Sequence, residues 1–256
     1  MNRKPEYLTV GDIATNCWLY PLDDEPHGGE SRPCAVIDPG EEAAKIVSRL
    51  WELNWIPRYI LLTHGHFDHV MAMPELLEAF QGKAAFQGKA ASQGKAASQG
   101  EAASQGKAAS GGSNEGPPET GIHRLDAHYL GKDAIKDHRE SFTAAGGSLA
   151  YLDAIWKPLP DADILFEEGD TIGPFKILHL PGHTQGSIGF YDEKAGVLFS
   201  GDTLFRRTWG RTDLPGGSEQ QIYQSLKRLL SMEAGIVVCP GHGPATTIGD
   251  EAGLLR

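Results

Sequence analysis

The stretch YILLTHGHFDH (59–69) decides how this chain is read: an apolar run, YILLT, delivers three histidines and an aspartate within six residues. The run has the length and composition of a short buried strand. The loop after it offers His64, His66, Asp68 and His69, imidazole and carboxylate groups suited to zinc, iron or manganese. On a turn, His64 and His66 can face one side while Asp68 and His69 face another. Six residues therefore supply more donors than one tetrahedral ion needs, and the excess points to two metals.

Three further motifs repeat this arrangement downstream. KILHL leads into PGHTQGS (181–187), GVLFS into GDTLF (201–205), and GIVVC (235–239) into PGHGPATT (240–247). Each places His183, Asp202 or His242 just beyond an apolar run, where a loop on a rigid scaffold converges with others on one site. A lone loop histidine is usually a satisfied polar group, and a lone Asp after a strand is usually a turn or cap residue. Five histidines and two aspartates in four such loops, flanked by glycines that permit tight turns, are a metal-site pattern. Of the other histidines, His27 lies in a polar loop, His138 in the charged run KDHRE, and His179 in a strand-like segment. None of these three is expected to be a ligand, and His123 and His128 are left open.

Around the motifs, short apolar runs alternate with amphipathic segments. YLTV, CWLYPL and CAVID are expected strands. Residues 41–55 carry Ala43, Ile46, Leu50 and Leu53 at helical spacing. HRLDAHYL is expected to be a strand, DTIGPFKILHL a hairpin, and GFYDEK with AGVLFS a strand, turn and strand. Ile222, Tyr223, Leu226, Leu229 and Leu230 form a second helical stripe, followed by the strand GIVVC. The order implies an α/β fold with helices on the outer faces of two sheets and much antiparallel pairing.

Length and charge bound the rest. The 256 residues suit one α/β domain or one domain plus an appendage, and 40% hydrophobic content is enough for a sizeable core. A net charge of -11 argues against a surface built to neutralise phosphates, so nucleic acid is not an expected partner. The first residues, MNRKPEYLTV, hold no long apolar segment, and no stretch approaches the ~18 apolar residues of a membrane span, so the expectation is a cytoplasmic protein without a membrane partner. Cys17, Cys34 and Cys239 are too few for a disulfide framework. Cys17 and Cys34 sit in strand-like segments that could face each other, against the plainer reading of free buried thiols. Between Gln81 and Ser110 a hexad, QGKAAF or QGKAAS with one QGEAAS, repeats five times before GGSNEGPPETG. Its apolar positions are only alanine, too little to offset ordering entropy, so residues 81 to about 120 are expected to be a disordered insert in a single domain. A cationic tether through Lys83, Lys89, Lys95 and Lys107 is the lesser reading.

In order and spacing, THGHFDH, PGHTQGS, SGDTLF and PGHGPATT resemble the metallo-β-lactamase superfamily, in its short, glyoxalase II-like branch, over nearly the whole chain outside the insert. The resemblance implies an αββα sandwich with the metals at one edge of the two sheets. It implies that His64, His66 and His183 hold one ion, that Asp68, His69 and His242 hold a second, and that Asp202 bridges them. Asp38 in VIDPG matches the acidic residue placed behind the ligands. The implied activity is hydrolysis of a small-molecule thioester such as S-acyl-glutathione by metal-activated hydroxide, with Asp68 and Asp202 catalytic and zinc, iron or manganese as the ions. Two departures stand out. Val70, Met71 and Ala72 follow His69 where the family has a small apolar residue and then glycine. Glyoxalase II proper also continues into a helical domain that helps to bind glutathione, whereas this sequence ends soon after PGHGPATT, so the resemblance does not carry glutathione specificity with it. Arg206, Arg207 and Arg211 are candidate contacts to an anionic substrate, Arg211 with the plainer alternative of a loop ion pair with Asp213. A rival within the same motifs is a persulfide dioxygenase with one iron on His64, His183 and Asp202. A non-catalytic scaffold and a nuclease of the same fold fit less well.

Overall fold

The computed structural model describes residues 3–24, 31–81 and 116–255, and within them two six-stranded mixed sheets face each other. The first runs β1 (Glu6–Val10), β2 (Thr15–Pro21), β3 (Arg32–Ile37), β4 (Trp55–Leu61), β5 (Glu119–His123) and β6 (Ile164–Phe166). The second runs, in spatial order, β12 (Thr246–Thr247), β11 (Val237–Pro240), β10 (Val197–Gly201), β9 (Ile188–Asp192), β8 (Phe175–His179) and β7 (Thr171–Ile172). The helices are α1 (Ala43–Leu53), α2 (Phe67–Val70), α3 (Met73–Ala79), α4 (Ile135–Ala144), α5 (Leu149–Ile155) and α6 (Glu219–Leu230).

The central strands are apolar on both faces, and the two-residue period sorts each face to a different core. Trp18, Tyr20, Ala35, Ile37, Tyr59 and Leu61 point between the sheets, onto Ile177, Phe190 and Phe199 of the other one. The alternate residues Cys17, Leu19, Cys34, Val36 and Ile60 point outward, against Ile46 and Leu50 of α1, Met73 and Leu76 of α3, Phe142 of α4 and Leu152 of α5. On the far side Leu178, Leu198 and Val238 pack on Ile222, Leu226 and Leu229 of α6. The result is the αββα sandwich. Cys17, Cys34 and Cys239 are free and buried, so the plainer reading of the thiols holds. No helix among the described residues is long and apolar enough to cross a membrane.

Strand direction positions the site. β3, β4 and β5 are parallel, and so are β10 and β11, while β8 reaches the direction of β10 through two antiparallel pairings. The carboxyl ends of β3, β4, β8, β10 and β11 therefore open on one edge of the sandwich, the usual place for a site in such folds. Cross-sheet bonds close that edge. Ile188 N–H donates to Thr63 O at 2.8 Å, Asn16 N–H to Gly241 O at 2.7 Å, and the Trp18 indole to Pro240 O at 2.9 Å.

Two sequence expectations need correction. HRLDAHYL is not a strand: β5 ends at His123, and Arg124–Tyr129 forms a 3₁₀ turn whose first N–H groups include Leu125 N, bonded to the His123 ring. The turn is imposed by tertiary bonds to Asp126, described below. Glu119 and Thr120, placed with the insert, belong to β5 and pair in parallel with Tyr59 and Ile60. His27 and the hexad repeats from 82 to 110 lie outside the described residues.

The stacked pair His123 and His179, with ring centroids 4.3 Å apart, joins the ends of β5 and β8. Burial, helped by His179 and Arg124, pushes His123 down to about 4. The unfolded chain binds a proton near pH ~6.5 that the folded chain refuses, so stability should fall as pH drops from ~6.5 to about 4 and level off below. Thermal melts across that window should show a shallower fall in His123→Gln than in the parent chain. Parallel curves would count against His123 as the source.

Candidate metal centre

Each motif is delivered by a strand end. β4 runs into the loop holding His64 and His66, and α2 then carries Asp68 and His69. His183 follows β8, Asp202 follows β10 and His242 follows β11. Six of these seven side chains are buried, His242 partly exposed. A Cβ at Gly241 would overlap Asp202 Oδ1 and crowd His69, so this approach of chain to chain requires glycine.

The seven side chains meet in three overlapping groups, each with its donor atoms within 4.8 Å of one another: His64, His66 and His183; Asp68, His69 and His242; and His64, His69 and Asp202. The first two groups are the triads that the family resemblance implies, and the third joins them by sharing His64 with one and His69 with the other and adding Asp202. Asp202 Oδ1 lies 3.5 Å from His69 Nε2, while Oδ2 lies 3.5 Å from His242 Nε2 and 3.6 Å from His183 Nε2. Asp68 Oδ2 lies 3.3 Å from His242 Nε2 and 3.4 Å from His69 Nε2.

Fit to a cation can be tested on the polar atoms themselves. His64 Nε2, His69 Nε2 and Asp202 Oδ1 are buried and have no hydrogen-bond partner, while His66 turns its Nδ1 to the cluster, 2.9 Å from His183 Nε2. Buried polar atoms are rarely left so, because each costs about 1–3 kcal/mol, and three converging on one space are donors suited to a cation. Burial, reinforced by the neighbouring histidines, pushes the His64 and His66 rings well down, which keeps them neutral with free lone pairs. Burial opposes charge on His69 as well, yet Asp68, Asp202 and Asp38 push it up to about 10. The Asp68 carboxyl is held far below the usual range, since His69 and His242 outweigh its burial.

Behind the donors stands a supporting shell. His183 Nδ1 meets Arg211 O at 2.8 Å, which turns its Nε2 inward. Asp38 Oδ2 lies 3.1 Å from His69 Nδ1, and the same carboxylate accepts from Thr63 N–H and Oγ1, both at 2.7 Å. Asp38 holds φ 54°, a left-handed conformation that costs a non-glycine residue energy and is typical of functional positions. Thr15 Oγ1 donates to Asp68 Oδ2 at 2.9 Å. After His69, the chain turns through Met71 and Ala72 straight into α3, with Ala72 N–H on Pro39 O at 3.0 Å.

The residue that sequence reasoning missed is Asp126. It is fully buried and accepts from Gly65 N–H at 3.0 Å, Gly186 N–H at 2.7 Å and Thr184 Oγ1 at 2.7 Å. One carboxylate thus ties the His64–His66 loop to the His183 loop. Its burial pushes its pKa up, partly offset by those donors. Nothing local marks it, because its partners lie about sixty residues away on either side.

The remaining candidates are also placed. His138 is buried on α4 against Tyr129 O, His128 packs on Tyr129, and His123 and His179 stack on each other, so none of these joins the cluster. Arg206 and Arg207 are exposed. Arg211 lines the cavity beside the donors, and its guanidinium binds Asp213 at 2.7 and 2.8 Å, the loop ion pair anticipated from sequence.

Fold and site together define a class, and direct comparison agrees: residues 11–242 match the metallo-beta-lactamase superfamily model, so the chain belongs to that superfamily. Among curated relatives, a hydroxyacylglutathione hydrolase, GloC, of Haemophilus influenzae is 33% identical over 96% of this chain and 93% of its own length. The crystal structure of TTHA1623 in a di-iron-bound form is 32% identical, with a TM-score of 0.66 over 97% of this chain and 98% of that one. That of the BLEG-1 B3 metallo-beta-lactamase is 28% identical, with a TM-score of 0.67 over 97% and 96%. Hydrolase-named relatives and the buried His/Asp cluster support a metal-dependent hydrolase with a dinuclear site.

Proposed function

We propose that this chain hydrolyses thioesters, S-acyl-glutathione among them, using two divalent cations. The observation that carries this reading is the set of converging, unpartnered donor atoms on His64, His69 and Asp202, beside the close His66–His183 pair. His64, His66 and His183 would hold one ion, Asp68, His69 and His242 the other, with Asp202 between them. Three imidazoles on one side and two with a carboxylate on the other favour zinc, and iron is the alternative supported by the di-iron relative. Bound there, the ions supply Lewis acidity and a nucleophile from water at neutral pH.

The protein's part is orientation. Asp202 would position the attacking oxygen and Asp68, anchored by Thr15, would hold its own triad in register. In the reaction a C–O bond forms at the acyl carbon and the C–S bond breaks, giving carboxylate, thiol and a proton. The leaving thiolate belongs to a thiol of pKa ~8.5 and departs without a strong general acid. That suits a cavity whose walls beyond the donors are largely apolar.

Elemental analysis of the purified protein should give about two ions per chain. Chelation should abolish hydrolysis of S-acyl-glutathione, added zinc or iron should restore it, and turnover should be the same without oxygen. About one iron per chain, with oxygen consumed on glutathione persulfide and no thioester turnover, would overturn this reading in favour of a persulfide dioxygenase.

A further inference from the structure

We infer that Thr15 and Asn16 are positioning residues for one ion of the pair, the one held by Asp68, His69 and His242, and set its affinity apart from that of the other; this rests on the two-ion reading above. His242 stands between Gly241 and Gly243, the latter at φ 73°. Its side chain is 23% exposed, whereas the other six donors are buried. Flanking glycines leave the backbone many conformations, so the ring is placed only if the loop is tied from outside.

Asn16 makes those ties. Its side-chain NH₂ donates to Pro240 O at 3.1 Å and to Gly243 O at 2.7 Å, and its backbone N–H donates to Gly241 O at 2.7 Å. One buried residue thus takes the carbonyls two and one before His242 and the carbonyl one after it. The two acceptors also fix which end of the amide is NH₂. Its neighbour Thr15 forms an isolated bridge with His242 and donates its hydroxyl to Asp68 Oδ2 at 2.9 Å. Residues 15 and 16, at the start of β2, therefore hold two donors of this triad from one point, and Asp38 holds the third, His69.

The other triad hangs on different supports. Asp126 ties the loops of His64, His66 and His183, and Arg211 O meets the His183 ring. Sites with separate scaffolds can be weakened one at a time. Loss of the partner behind a ligand costs about 10–100-fold in metal affinity. Without the Asn16 amide, Pro240 O keeps the Trp18 indole and Gly241 N–H keeps Gly201 O, both at 2.9 Å. The loop then loosens beyond His242 while its near end stays in place.

Stepwise zinc affinities of the metal-free protein, read by competition with a chromophoric chelator, test this. His242→Ala marks which of the two constants belongs to its triad. We expect Asn16→Ala and Thr15→Val each to weaken that constant at least tenfold and to leave the other within threefold. Thr15→Ser, which keeps the hydroxyl, should retain both parental constants. Thr15→Val exchanges only a hydroxyl for a methyl, so with Thr15→Ser it carries the test if Asn16→Ala fails to fold. Both constants falling together, or neither falling, overturns the inference and leaves the two-ion reading standing. A parent chain that binds one ion at saturating zinc removes the two-ion reading and the inference with it.

Discussion

Asp202→Asn should lower thioester hydrolysis by about 10²–10⁴-fold and leave the protein with fewer than two tightly held ions. The carboxylate stands between the two donor triads, 3.5–3.6 Å from His69, His183 and His242, and its Oδ1 has no hydrogen-bond partner. Asparagine keeps the shape but loses the negative charge that two adjacent cations need. It also replaces one acceptor with an NH₂ that would face a cation. Because Oδ1 makes no internal hydrogen bond, the metal-free protein should keep its melting temperature to within a few degrees. Metal content, kcat/KM and a melt of the chelated protein check the three parts separately. A variant with two ions and parental rates would remove Asp202 from the site.

The second large effect is expected far less obviously, at Asp126. Truncation to alanine would leave the Gly65 and Gly186 N–H groups and the Thr184 hydroxyl buried without their acceptor. Each such orphan costs about 1–3 kcal/mol, and the three are not additive, so a loss of about 3–5 kcal/mol is expected. In a chain of this size that is a fall of roughly 10 °C in Tm. The loops bearing His64, His66 and His183 would lose their common anchor, and metal affinity should fall by about 10–100-fold. Asn at this position keeps one accepting oxygen but sets an NH₂ against a donor, so it should behave more like alanine than like the parent. Thermal unfolding and a competitive metal titration measure the two effects. Parental affinity in a destabilised Asp126→Ala would confine the residue to a structural role.

The two predictions differ in how visible their residues are in sequence. Asp202 stands in SGDTLF, one of four short motifs at the ends of apolar runs, and a strand end followed by a tight loop fixes where such a side chain emerges. β1 to β4, β7 to β11 and the helices α1 and α6 were legible for the same reason, since burial on one or both faces imposes a period of two or of 3.6, whereas β5, β6 and β12 were not. α4 was not: IKDHRESFTA is polar nearly throughout, and only tertiary packing against Phe67 gives Phe142 its place. The segment after β5 misled because HRLDAHYL alternates like a strand, whereas the bonds of Asp126 to loops at 65 and 184–186 wind it into a turn.

What the sequence by itself determined, then, is the set of donor groups and the layered α/β architecture, because both are written in local spacing. The tertiary structure alone decided which donors share a space, that Asp202 lies between the triads, and that Asp126 anchors two of the loops. It also decided the character of the cavity beside the donors, whose apolar walls Ile13, Phe67, Phe142, Phe205 and Leu214 come from four separate segments. Local periodicity reports which side of an element is buried; it carries no information about which distant segment lies across from it. That is settled only when parallel strands bring their carboxyl ends to one edge.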